Sequence, residues 1–308
     1  MRLIYDLSAQ RAFDQTMRTI RIQNEFAPLK TAIVHDGRNF VDITMDDWRE
    51  LLEPEDFAEH PETGPASRSD VIEQLGRFHQ VLRDDGVTLL APDPQPEAVG
   101  QIFTRDPCFA VGERLFLAAL SDWFRQSESL GLATLRQEFA AVTDLAGGGA
   151  RIEGGDVLVL EAGQKVLVGM NRHTNLAGIH KLTEVLRPAG TDVVCVPHSA
   201  VHLDCCVSPL PSGDALVAAA RLPAASMATL GSCFGRLIPL DDDEARRHLA
   251  ANLFWLDERR VVSGSACTQT NTLLRELGYD VIEVTFSAMT SLWGGVRCSV
   301  CPIERAAR

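Results

Sequence analysis

Cys298 lies in Gly294-Gly-Val-Arg-Cys298, a thiol hinged on two glycines and set directly after Arg297. A thiol of pKa about 8.5 is mostly protonated at neutral pH. To act as a nucleophile it needs a histidine or a positively charged neighbourhood, and Arg297 is one such charge. A His-x-Asp pair, His202 and Asp204, puts both side chains on one face if it opens a strand, because residues two apart share a face. One could then handle protons while the other holds a cation. Phe103-Thr-Arg-Asp106 and Glu153-Gly-Gly-Asp156 add carboxylates, and paired glycines let backbone and ligand approach closely. Several carboxylates beside one cysteine suit a planar cation such as a guanidinium.

These groups come from widely separated segments, so a repeated element must bring them together. Asp106, Asp156 and Asp204 each open a stretch that runs through an apolar strand, a turn and a second apolar strand, at intervals of about fifty residues. A helix followed by a strand recurs as well. Residues 70–85 have helical apolar spacing and precede a strand at 87–90; residues 175–186 precede one at 193–196, and 268–277 one at 281–284. Leu29 to Val34 reads as a strand. Propeller blades made only of strands do not contain such helices, so the units, each pairing strands with a crossover helix, point to a pseudo-symmetric α/β barrel in a single domain over 1–308. Between Asp36 and Asp70 the chain is acidic and proline-bearing, with a helical turn around Asp46-Asp-Trp-Arg-Glu-Leu-Leu52. That length suits a lid or an insertion loop.

With 45% hydrophobic residues the chain has ample material for a buried core. Its net charge of -13 gives no footprint for a phosphate backbone or an anionic membrane. No run of 18 apolar residues predicts a membrane span, and the N-terminus lacks the apolar core of a signal peptide. Eight cysteines in 308 residues are too sparse for a disulfide scaffold, so a reduced, cytoplasmic setting is expected. Cys298 and Cys301 form a C-x-x-C, but one such pair without nearby histidines is weak evidence for zinc. The remaining cysteines are expected to pack in the core.

Taken in order, Phe-Thr-Arg-Asp106, Glu153-Gly-Gly-Asp, His202-Leu-Asp204 and Gly-Gly-Val-Arg-Cys298 resemble the signature of the guanidine-modifying pentein superfamily, which includes arginine deiminases, dimethylarginine dimethylaminohydrolases and amidinotransferases. Asn24-Glu-Phe-Ala-Pro-Leu-Lys30 is similar to that family's first strand, so the resemblance spans most of the chain. It implies a five-bladed pseudo-symmetric α/β propeller (pentein barrel) of repeated strand-strand-helix-strand modules. It also implies Cys298 as nucleophile, His202 as general acid and base, Glu153 orienting His202, and Asp106 and Asp204 gripping the guanidinium. Arg125 and Glu128 are similar to the family's Arg-x-x-Glu segment. Arg221 resembles an arginine that binds the substrate carboxylate in amidinotransferases.

One position departs from the pattern. His173, in Asn171-Arg-His-Thr-Asn175, stands where the family usually has an arginine that contacts the substrate carboxylate. Arg172 is adjacent, but neighbours on a strand face opposite ways. A substrate with an altered or absent carboxylate is one consequence. The implied chemistry is a cysteine-dependent amidinohydrolysis through a covalent thiouronium, with no metal or organic cofactor; an amidinotransferase would deliver the same group to an amine. The implied partner is a small guanidino compound, with no nucleic acid or membrane partner and a homo-oligomer possible in principle. Two rivals fit poorly. A pure binding protein on a similar barrel has no need of the thiol, imidazole and carboxylates, and a metal-dependent ureohydrolase would need clustered Asp-x-His-x-Asp ligands.

Overall fold

The apolar spacing of residues 70–85 builds a helix with one dry face. The computed structural model describes residues 17–51, 63–96 and 98–307. In it β1 (Leu29–Ile33) leads through a short helix, α1 (Met45–Leu51), to α2 (Arg68–Asp84) and then to β2 (Thr88–Leu90). The Ser67 hydroxyl caps α2 by accepting from the Asp70 amide at 3.1 Å. Val71, Leu75, Phe78 and Leu82 are each 0% exposed, and at about 1.5–3 kcal/mol per buried side chain their packing outweighs intrinsic helix propensity. Gly86, at φ 76°, adopts the left-handed conformation that lets the chain leave the helix for β2, which pairs parallel with β1.

The same route is taken by the aspartate-led segments. The hairpin β3 (Cys108–Val111) and β4 (Arg114–Leu117) is joined by β5 (Val142–Asp144), parallel to β4. The next module has β6 (Val157–Leu160), β7 (Lys165–Met170), the crossover helix α3 (Leu176–Leu186) and β8 (Asp192–Pro197). Then come β9 (Val207–Pro209), β10 (Ala215–Val217), α4 (Ala224–Cys233) and β11 (Leu237–Pro239). After α5 (Asp242–His248), the fourth hairpin, β12 (Phe254–Trp255) with β13 (Arg260–Gly264), is followed by α6 (Thr268–Glu276) and β14 (Asp280–Val284). A single turn, α7 (Ser287–Thr290), precedes β15 (Cys301–Arg305), which pairs antiparallel with β1, Leu29 opposite Arg305. The fifth three-stranded sheet therefore takes strands from both ends of the described chain.

Five sheets with this common topology form the five-fold pseudo-symmetric α/β propeller that the sequence resemblance implies. Strands such as Val157–Leu160 are buried at every position, as expected where both sheet faces are covered. One module departs from the expected pattern. The crossover from β4 to β5 holds 3₁₀ turns over Trp123–Leu132 and Leu135–Glu138 in place of a crossover α-helix. Those short turns carry Arg125 and Glu128 to the site. No helix among the described residues is long and apolar enough to cross a membrane.

Candidate active site

The segment just before each module's first strand carries the polar groups. Asp106 precedes β3, Glu153 precedes β6, His202 precedes β9 and Cys298 precedes β15, so equivalent places in different modules supply carboxylate, imidazole and thiol. The fourth module places Asn252 just before β12, a residue that the aspartate pattern passed over. Its signal was positional: Asn252 stands two residues ahead of a strand, as Asp106 does. The paired glycines allow these leads to touch. A Cβ on Gly155 would lie 2.6 Å from Cγ of His202, and one on Gly295 would lie 2.4 Å from Oδ1 of Asn252. Gly155→Ala should therefore displace the imidazole, with kcat falling about 100-fold for a shift of roughly 1 Å. Steady-state kinetics on a folded variant check this.

His202 is almost wholly buried, and its Nε2 lies 2.9 Å from Oε2 of Glu153, the donor being set by tautomer. Nδ1 of the same ring is 3.5 Å from Oδ1 of Asp106. Burial pushes this imidazole down, but Asp106, Glu153 and Asp156 together hold it well above the ordinary histidine range. Burial likewise opposes ionisation of Glu153, yet bonds to His173 and His202 keep its carboxyl well below the usual value. Asp106 is raised because burial outweighs the attraction of His202 and Arg125. Arg125 bridges this cluster: Nη1 meets Asp106 at 3.0 Å, while Nε and Nη2 form a bidentate pair with Glu128 at 2.8 and 2.9 Å. Burial pushes the Glu128 carboxyl up to about 7 despite that pairing. Arg125 thus serves to hold carboxylates in place.

Asp156 accepts from the Leu203 amide at 2.8 Å and meets Nε2 of His198 at 2.9 Å. It ties the Glu153 lead to the His202 lead.

Asn252 organises the thiol. Its Oδ1 accepts from the amides of Arg297 at 2.8 Å and Cys298 at 3.3 Å, and its Nδ2 donates to Sγ of Cys298 at 3.2 Å. Asn252→Ala should orphan two buried amides, costing about 1–3 kcal/mol of stability, and should lower kcat more than it raises KM. Thermal melts and steady-state kinetics on the variant separate the two effects.

Arg297 does not offer its charge to the thiol alone. Its guanidinium meets Asp204 at 2.7 Å, both oxygens of Glu25 at 3.2 Å and the Val157 carbonyl at 3.1 Å. The expectation that His202 and Asp204 share a face fails for a local reason. Leu203–Cys205 is a 3₁₀ turn rather than a strand, so residues two apart point apart. His202 lines the cavity, whereas Asp204 lies behind it, with one oxygen on Arg297 and the other accepting from the Cys205 thiol at 3.4 Å.

The cavity has a volume of about 80 Å³. Asp106, His202 and Cys298 share its wall with Asp122, Arg125, Arg172 and His173, and with apolar Ile43, Trp48, Phe103, Phe124, Leu292 and Trp293. Ile43 and Trp48 come from the 36–70 stretch, of which 52–62 lie outside the described residues. Trp48 stacks on Trp293 with ring centroids 5.7 Å apart and planes 8° apart. His173 is held by Ser121 Oγ at 2.8 Å from Nδ1, and its Nε2 faces Nε of Arg172 at 3.1 Å. Both neighbours reach the cavity, contrary to strand alternation, because residues 171–174 form a turn. There Asn171 Oδ1 accepts from the amides of His173 and Thr174. Arg221 does not reach the cavity: it lines a separate depression with Ala218, Asp242 and Arg246. Two triads, Glu153–His173–His202 and Asp204–Cys205–Cys298, bring donor atoms within 4.8 Å of one another, close enough to hold an ion. In both, the donors already bond to each other or to flanking groups.

A thiol, an imidazole, an amide and carboxylates converging from the leads of five such modules define the pentein class of guanidine-modifying enzymes. In fold the chain is similar to the N-terminal domain of ArgZ, an arginine dihydrolase from cyanobacteria, with TM-score 0.76 at 17% identity over 89% of this chain and 97% of that one. It is also similar to SxtG, an amidinotransferase from Microseira wollei, with TM-score 0.74 at 15% identity over 94% and 98%. The chain belongs to the arginine deiminase family, whose model matches residues 74–229 and 238–305. In sequence it is 24% identical over 245 residues to the N(G),N(G)-dimethylarginine dimethylaminohydrolase of Streptomyces coelicolor, covering 79% of this chain and 90% of that one.

Proposed function

We propose that the protein is a cysteine-dependent amidinohydrolase that converts a small guanidino compound, arginine or a substituted arginine derivative, to a ureido product and an amine or ammonia. One observation carries the assignment. Asp106 lines the cavity with His202 and Cys298, and its buried Oδ1, 3.5 Å from Nδ1 of His202, makes no hydrogen bond. An orphaned buried acceptor costs about 1–3 kcal/mol, which a donating cation would recover on binding. A guanidinium supplies planar N–H groups and a positive charge to a desolvated carboxyl of which Arg125 engages only the other oxygen.

In this mechanism the Cys298 thiolate adds to the guanidinium carbon, forming a C–S bond while Asp106 holds the substrate charge. His202 gives its proton to the departing nitrogen as the tetrahedral adduct collapses and the C–N bond breaks. Glu153 keeps the imidazole oriented and charged. Water then loses a proton to His202 as it attacks the covalent thiouronium, and the thiolate leaves. Asp204 supports the thiol from behind through Arg297 and Cys205. Transfer to an acceptor amine is the second option, favoured by the apolar wall around Trp48 and Trp293, which limits water, and by the likeness in fold to an amidinotransferase.

The test is a panel of arginine, methylated arginines, agmatine and guanidino acids, followed for ureido product and released amine. Turnover without an added amine supports hydrolysis, and the amine released names the bond. Turnover only with an acceptor amine supports transfer. Silence with every compound in both formats removes the guanidine assignment.

A further inference from the structure

Cys298 has a second sulfur beside it. Sγ of Cys205 lies within 4.8 Å of Sγ of Cys298, although the two residues come from different modules. The amide nitrogen of Asn252 faces both sulfurs, at 3.2 Å from Cys298 and 3.8 Å from Cys205. The two thiols differ in position: both are buried, but Cys298 is part of the cavity wall and Cys205 is not. Closing this gap to a disulfide bond needs the sulfurs to approach by roughly 3 Å at most, which side-chain rotation and small backbone adjustments can supply.

We propose that Cys205 is a resolving thiol for Cys298, so that a peroxide entering the cavity converts the pair to an intramolecular disulfide. In the first step the Cys298 thiolate attacks one peroxide oxygen. An S–O bond forms, the O–O bond breaks, and the released hydroxide leaves as water after taking a proton, giving a sulfenic acid. In the second step the Cys205 sulfur displaces the sulfenic hydroxyl from Cys298, and that hydroxyl departs as water with the proton of the Cys205 thiol. The two thiols lose two electrons and the peroxide gains them.

The order of events follows from the surroundings. Bonding to Cys298, burial and the nearby Asp204 charge all hold Cys205 as the protonated thiol, so the oxidant takes Cys298 first. The outcome is a reversible block in place of the irreversible sulfinic acid to which an unguarded nucleophile proceeds. The pair Cys108 and Cys301 serves as an internal contrast. Its sulfurs are 3.7 Å apart, but both residues are 0% exposed and neither is in the cavity wall.

The experiment exposes the full chain to excess hydrogen peroxide, blocks remaining thiols with an alkylating agent and maps the peptides by mass spectrometry. The expected product is a Cys205–Cys298 linked peptide, with a loss of about 2 Da from the intact chain that dithiothreitol reverses. Turnover should return to within about 2-fold of its starting value. In Cys205→Ser the same treatment should add about 32 Da at Cys298 as the sulfinic acid, with activity still at least 10-fold down after dithiothreitol. A wild-type chain in which Cys298 becomes sulfinic while Cys205 is alkylated overturns the proposal, as does a linkage found only at Cys108–Cys301, or an untouched Cys298. The wild-type mass map needs no turnover and no variant, so it decides the matter even if Cys205→Ser folds poorly or the hydrolase assignment fails.

Discussion

Cys298→Ala should abolish turnover of every guanidino compound in the panel, by at least about 10⁴-fold, because a lost nucleophile removes the covalent route itself rather than one interaction within it. The fold should survive. The residue is small, and the groups around it are tied elsewhere: the Asn252 carbonyl oxygen keeps both backbone amides, and Arg297 keeps its carboxylates. Substrate affinity should persist as well, since Asp106 and Arg125 are untouched. Calorimetric binding of the best substrate to the alanine variant, beside its rate, makes the two effects separable. A variant retaining a tenth of the wild-type rate would show that the thiol is not the nucleophile.

The second large effect is expected at His202. His202→Gly should lower kcat by about 10²–10⁴-fold, the usual contribution of a positioned proton donor and acceptor. It should also change which species accumulates. A substrate whose leaving group departs without a proton can still form the covalent adduct, but without the imidazole no water is activated to release it. Intact-mass measurement should then show the amidino adduct on Cys298, and recovery of unmodified protein with normal release would exclude His202 from the second step.

In the wild type, burial lowers the His202 imidazole, but the carboxylates of Asp106, Glu153 and Asp156 raise it well above the ordinary value. Proton donation to the leaving group should therefore persist through neutral pH, with kcat/KM falling as pH rises through the raised value. The linked stability has the same sign. It is fully present below the unfolded pKa of about 6.5 and is lost as pH rises through the folded one.

What the sequence revealed follows from periodicity. The helix α2 and the strands of the aspartate-led hairpins have side-chain patterns tied to local geometry, and the structure keeps them within a residue or two. The site was readable as residue types, because Asp106, Glu153, His202 and Cys298 each lead into a strand. It was not readable as orientation. Whether Asp204 faces the cavity depends on a 3₁₀ turn of three residues, and whether Arg172 does so depends on an Asn171 side chain that bends the chain. Arg221 looked like part of the site by its place after the hairpin, but the distance that matters is spatial. Trp48 and Asn252 were hidden for other reasons: the first is brought to the cavity by tertiary packing alone, and the second carries an amide where the pattern uses acids.

The pairing of β15 with β1 has a kinetic consequence. The thiol sits on the lead into a strand whose partner is the first of the propeller, so the ring can be sealed only by a contact between the first and last strands of the described chain. Closing so long a loop is entropically costly, and contacts of this kind form late. In refolding, helical signal should recover before catalytic competence, and the delay between the two would time the closing of the ring.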